Sequence, residues 1–106
     1  MNASEKNLKE IIDVVKNIVS LKEAYLFGSF AYGDPNEDSD YDLYFVVDEI
    51  NGSRHETIVE IRRAIRKVSI KPYDVLLNTK ECFDYRKDHN GTLEYKVATN
   101  GIRLYG

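Results

Sequence analysis

Five residues carry the chemistry open to this sequence. Gly28 and Ser29 close a short apolar run, Asp40 and Asp42 follow after ten intervening residues, and Asp74 stands inside a third apolar run. Two carboxylates two apart on a strand project to one face, because side chains alternate along it. If the strand of Asp74 lies alongside, three ionised acids crowd within a few ångströms, and such a cluster needs cations or raised pKa values. Hard divalent ions meet that need. Magnesium takes oxygen ligands and leaves positions for phosphate oxygens, and two such ions can activate a hydroxyl while neutralising a leaving pyrophosphate. Gly28 and Ser29 add a niche of phosphate size: glycine lets backbone N–H groups come close, and a serine at a helix start adds a hydroxyl where the dipole favours anions. Taken singly, Asp40 reads as a turn cap, Asp42 as a strand-edge charge and the Gly-Ser pair as a turn. Their combination is what informs.

Rival motifs fail on particular letters. Gly28 to Gly33 has the spacing that starts a P-loop, but Asp34 and Pro35 stand where lysine and Ser/Thr are required. Asp34, Asn36, Asp38 and Asp40 imitate the start of a calcium loop, yet Ser39 replaces its turn glycine and Phe45 its bidentate glutamate. With His55, His89 and the single Cys82, a zinc site has too few ligands, and both histidines are expected at the surface.

The elements that must position these residues follow from periodicity. Leu8, Ile11, Ile12, Val15, Ile18 and Val19 recur at helical spacing and predict a core-packed helix from Asn2 to Ser20, capped by Asn2 or Ser4. Ala24 to Phe27 reads as a buried strand stopped by Gly28, with a short helical turn from Ser29 through Tyr32 and an exposed loop from Asp34 to Ser39. The next strand spans about Asp40 to Asp48. Tyr41, Leu43, Phe45 and Val47 share one face, and Asp40, Asp42, Tyr44 and Val46 the other, as in a central strand covered on both sides. Ser53 and Glu56 have capping-box spacing before a helix to about Val68, whose apolar face is Ile58, Ile61, Ile65 and Val68. Arg62, Arg63, Arg66 and Lys67 crowd its last two turns; that is first a solvated face complementing the dipole, and second a contact for an acidic partner. Pro72 precedes a strand from Tyr73 to Asn78 with Asp74 and Leu76 on one face. A short helix around Cys82 and Phe83, a polar loop from Arg86 to Gly91, a helix through Leu93, Val97 and Ala98 ended by Asn100 and Gly101, and a closing strand from Ile102 to Tyr105 complete the chain.

Length and composition bound the rest. One domain spanning residues 1–106 is expected, large enough to hide roughly two-thirds of its unfolded surface. No apolar run approaches the about 20 residues of a membrane helix, no segment resembles a signal peptide, and one cysteine forms no internal disulfide, which together predict a cytosolic protein. A net charge of −3 disfavours a duplex nucleic-acid binder.

Gly28 and Ser29, Asp40-x-Asp42, the third acid Asp74 and the ending Gly101 to Tyr105 together resemble the minimal nucleotidyltransferases of the DNA polymerase beta superfamily over nearly the whole chain. The resemblance implies an α/β fold with a small mixed β-sheet flanked by helices, two magnesium ions, and a nucleoside triphosphate, commonly ATP. It makes Asp40 and Asp42 ligands of both metals. Asp74 becomes a ligand of the catalytic metal and an aid to deprotonating the acceptor hydroxyl, and Ser29 with the backbone around Gly28 becomes the seat of the terminal phosphates. One position departs from the family, which often has arginine where Tyr32 stands. The chain further resembles the antitoxin subunit of toxin–antitoxin pairs in which the nucleotidyltransferase adenylylates a tyrosine of a helical HEPN-type RNase toxin, so the implied acceptor is a partner protein. Two alternatives are a non-catalytic antitoxin that neutralises by contact alone, and a small-molecule enzyme of the aminoglycoside type. A dimer or second subunit would have to supply the drug-binding surface of the latter.

Overall fold

Strands β1 (Leu21–Phe27), β2 (Tyr41–Val47), β3 (Tyr73–Thr79) and β4 (Ile102–Tyr105) form one mixed sheet in the order β3-β2-β1-β4. The computed structural model describes residues 3–28, 41–69 and 73–106. β1 runs antiparallel to both neighbours, whereas β2 and β3 are parallel, joined through helix α2 (Arg54–Arg66) by the crossover that parallel pairing requires. Helices α1 (Ala3–Lys16) and α2 cover one face. There Ile11, Val15, Ile61 and Ile65 pack on Leu26, Leu43, Phe45, Val75 and Leu77. Helices α3 (Lys80–Lys87) and α4 (Leu93–Asn100) cover part of the other, with Phe83 and Val97 against Tyr25, Tyr44 and Val46. The architecture is therefore the α/β class expected, and the alternation predicted along β2 and β3 is the one observed.

Side-chain caps fix where the helices start. Ser53, Thr79 and Thr92 accept from the backbone N–H of Glu56, Cys82 and Tyr95, each satisfying a donor that the first turn leaves unpaired. Several boundaries differ from the sequence expectation. α1 stops at Lys16, after which Asn17 and Ile18 donate back to Val14 and Val15 in tighter turns, although Ile18 and Val19 still pack on the core. Ser4 lies inside α1 and is not its cap; Asn2 lies outside the described residues. β1 begins at Leu21 rather than Ala24, and Arg86 and Lys87 belong to α3 rather than to a loop. The predicted turn from Ser29 to Tyr32, the loop from Asp34 to Ser39, and Pro72 lie outside the described residues.

Candidate functional site

Parallel pairing of β2 with β3 sets Asp42 directly opposite Asp74. Both side chains share the face that carries Tyr44 and Leu76, at the end of the sheet where β2 begins, with Asp42 half-buried and Asp74 exposed. Adjacent strands lie about 4.8 Å apart, and like charges directly across a ladder repel. On its other side Asp42 pairs with Phe27, so the chain leaves β1 into Gly28 beside the same carboxylate. Gly28 has φ 79°, a left-handed conformation, and a Cβ added there would fall 2.9 Å from Cγ of Asp42 and closer still to Oδ2. The glycine is thus required twice, for the turn and for the approach of backbone to carboxylate.

Of the five predicted site residues, Gly28, Asp42 and Asp74 come together at one end of one face, while Ser29 and Asp40 lie outside the described residues. Among the described residues no three of His, Cys, Asp or Glu converge, and both histidines are exposed, as expected. The oxygen-only pair Asp42 and Asp74 fits a hard cation such as magnesium, whose charge would relieve the repulsion between them. No described helix is long and apolar enough to cross a membrane.

Behind the carboxylates the same face turns from open to closed. Tyr44, two residues beyond Asp42, is buried with its ring 5.2 Å from that of Phe83, and its hydroxyl donates to Glu94 Oε2 at 2.7 Å. The other oxygen of Glu94 accepts from Arg86 Nε at 2.8 Å. Burial pushes the Glu94 carboxyl up, but these two bonds outweigh it and hold it below the ordinary carboxylate value. Burial and the adjacent Glu94 push the Tyr44 phenol well above its usual range, so it remains a donor. A second web surrounds Glu23 on β1, which receives Lys80 Nζ at 2.7 Å, the Tyr25 hydroxyl, and Arg103 Nη2 at 3.5 Å. Its carboxyl too is driven up by burial and, on balance, held down by Lys80 and Tyr25. Both acids escaped the sequence reading. The available signal was Tyr44 itself, a phenol on a covered strand face that must find a partner.

A pocket of about 520 Å³ opens on the β4 side of this face, between Tyr25, Tyr95, Gly101 and Arg103. Gly101 closes α4 by donating to Val97 O at 2.8 Å, and a Cβ there would meet that carbonyl at 2.5 Å and Leu26 O at 3.2 Å. The exit of α4 is thereby pressed against β1 just before Gly28.

Comparison with known proteins adds a family and a fold. The family model described as polymerase beta, nucleotidyltransferase matches residues 9–106. No curated protein gives a significant match. Among solved structures, a Sulfolobus solfataricus protein assigned as a nucleotidyltransferase is similar at 24% identity and TM-score 0.62, over 94% of this chain and 78% of that one. The toxin–antitoxin MntA–HpeT, in a variant with two aspartates two positions apart changed to glutamate, is similar at 16% identity and TM-score 0.60, over 100% and 74%. A toxin–antitoxin with AMP-PNP gives 20% identity and TM-score 0.54, over 96% and 73%.

Proposed function

The chain belongs to the polymerase beta nucleotidyltransferase family, and on that premise we propose that it transfers AMP from ATP to a tyrosine hydroxyl of a HEPN-type toxin and so acts as its antitoxin. The observation that carries this reading is the register that sets Asp42 opposite Asp74, with the Gly28 backbone against the Asp42 carboxylate. Support for a protein acceptor comes from the two toxin–antitoxin structures of the same fold, one with AMP-PNP and one altered at two aspartates spaced like Asp40 and Asp42.

In this reading Asp40, Asp42 and Asp74 hold magnesium, which when bound neutralises charge building on the phosphates and lowers the pKa of the acceptor hydroxyl. The backbone at Gly28 and the Ser29 hydroxyl hold the terminal phosphates. The acceptor oxygen attacks the α-phosphorus and forms the new P–O bond, while the bond from the α-phosphorus to the bridging oxygen breaks and pyrophosphate leaves with that oxygen. The hydroxyl proton passes to the Asp74 carboxylate, which its exposed position leaves within reach of an incoming acceptor. Tyr44, tied to Glu94, forms the dry floor behind the acids and takes no proton in the step.

The test is to mix the protein with the product of its adjacent gene, ATP and magnesium, and to weigh both chains intact. The partner should gain the mass of AMP on a tyrosine, and Asp42→Asn should abolish the gain while leaving the two proteins associated. A partner that is bound and neutralised without gaining mass, by wild type and Asp42→Asn alike, refutes transfer and leaves an antitoxin acting by contact.

A further inference from the structure

Among the described residues β3 lies at an edge of the sheet, and it is the strand that bears Asp74. Among the described residues it pairs with β2 alone, in unbroken register from Tyr73 to Thr79. Natural sheets blunt their edges with lysine, proline, bulges or extreme shortness, since an unpaired row of N–H and C=O groups is a template for another strand. The seven residues Tyr-Asp-Val-Leu-Leu-Asn-Thr contain none of these devices, and their one charge is Asp74 itself. The opposite edge is protected by comparison: β4 is four residues long, carries Arg103 and meets β1 through a shifted register.

Two arginines of α2 border the β3 edge. Arg62 lies over the Tyr73 ring with its guanidinium 5.7 Å from the centroid, and the Tyr73 hydroxyl donates to the Arg62 carbonyl at 2.6 Å. At the far end, Arg54 Nη2 donates to Asn78 Oδ1 at 3.3 Å. Asn78 belongs to the Asp74 face and Arg54 comes from the other, so this side chain wraps the edge there, and among the described residues no second strand pairs with Tyr73 to Leu77 between the two cations. Neither arginine pairs with a carboxylate among the described residues, and Arg63, Arg66 and Lys67 add further exposed positive charge on the same helix end and the turn after it.

From these observations we propose that the acceptor binds as an added strand: an extended, acidic segment of the partner pairs along β3 and brings its tyrosine onto the face of Asp74. The proposal rests on the reading of Asp74 as proton acceptor and gives that reading an approach route. A strand added at about 4.8 Å places alternate side chains on the Asp74 face, one strand spacing from its carboxylate. The tyrosine oxygen bonds to the α-phosphorus, its proton goes to Asp74, and pyrophosphate departs with the bridging oxygen. Main-chain pairing supplies affinity, the side-chain alternation selects which residue faces the site, and Arg54 and Arg62 select acidic flanks.

A synthetic peptide of alternating valine and glutamate around one tyrosine tests this, together with two versions N-methylated on alternate backbone nitrogens, one in each of the two possible sets. Binding is read by fluorescence anisotropy and AMP labelling by mass, with the full chain, ATP and magnesium. One methylated set should lose binding and labelling on the order of tenfold or more, the other should match the parent, and Arg62→Glu should weaken the parent peptide several-fold. Set-dependent binding without AMP labelling supports the docking and refutes transfer to a hydroxyl. Labelling that is equal for both methylated sets refutes the docking and keeps transfer. No binding of any peptide, or a dimer whose formation the peptide cannot compete with, overturns the proposal; the dimer assigns the edge to a second copy of the chain.

Discussion

Alanine at Gly28 separates backbone strain from the geometry of the site, because the molecule carries its own control. Gly28 and Gly52 have nearly the same φ, 79° and 82°, but an added Cβ at Gly52 meets no heavy atom within 4 Å. Gly52→Ala therefore reports the cost of a left-handed alanine alone, about 1–2 kcal/mol, which lowers Tm by roughly 4–8 °C per kcal/mol in a domain near this size. At Gly28 the same strain is joined by a Cβ 2.9 Å from the Asp42 Cγ. The carboxylate must rotate away or the turn must lift from it, and displacement of a reacting group by about 1 Å costs on the order of 10²-fold in rate. Urea melts should place the two variants close together in stability. AMP transfer, measured on the partner or on the tyrosine peptide, should fall about 100-fold in Gly28→Ala and stay near wild type in Gly52→Ala. Equal activity of the two variants at equal stability would refute the assignment of Gly28 as the residue that seats the Asp42 carboxylate.

Three other perturbations have directions set by the structure. Asp74→Asn removes one of two like charges facing each other across the β2–β3 ladder, so without metal it should melt no lower than wild type, should lose the Tm rise that magnesium gives wild type, and should abolish transfer; a magnesium-dependent Tm rise kept in full would contradict it. Glu23 and Glu94 both titrate below the ordinary carboxyl value of 4.5 in the folded chain, so their stabilisation is in place above about pH 4.5 and is lost as pH falls through their folded values. Glu94→Gln should thus cost about 1 kcal/mol near neutrality, discounted because Arg86 is half exposed, and the gap to wild type should close in acid; a gap constant from pH 7 to 3 would count against the Arg86–Glu94–Tyr44 linkage. Ser53→Ala removes the acceptor of the Glu56 N–H and should cost about 1 kcal/mol in a melt with transfer rate unchanged.

Legibility in the sequence tracked how local each cause is. The two faces of β2, the Ser53 cap that accepts from the Glu56 N–H, and the glycine exit of α4 are consequences of neighbours in sequence, and they appear where periodicity and cap chemistry put them. β1 reads as starting late because Lys22 and Glu23 look like solvent residues. Glu23 is buried only because Lys80 and Arg103 arrive from α3 and β4, 57 and 80 positions away. Glu94 was invisible for the same reason, since its partner Tyr44 is separated from it by 50 residues. The meeting of Asp42 with Asp74 was legible only conditionally: side-chain parity put each on a definite face, but adjacency depended on strand order, which parity does not contain.

That dependence also explains why one face serves two ends. Along β2, Asp42, Tyr44 and Val46 look the same way; Phe83 and Val97 anchor the helix pair on Tyr25, Tyr44 and Val46, while Asp42 stays half-buried and Asp74 opposite it exposed. Helices drawn further toward the start of β2 would bury two opposed carboxylates at a cost of several kcal/mol, unless cations or protons compensated. The buried webs of Glu23 and Glu94 hold the cover where it is, each tying α3 or α4 to the sheet through a charge that tolerates little displacement. A hydrophobic replacement of the whole linkage, Glu94→Leu with Arg86→Leu and Tyr44→Phe so that no buried phenol is left unpartnered, should match its stability, but it removes the directional bonds that hold the cover in place. The expected signature is a variant that melts like wild type while its magnesium-dependent ATP affinity falls. Unchanged affinity at unchanged stability would mean that apolar packing alone positions α3 and α4.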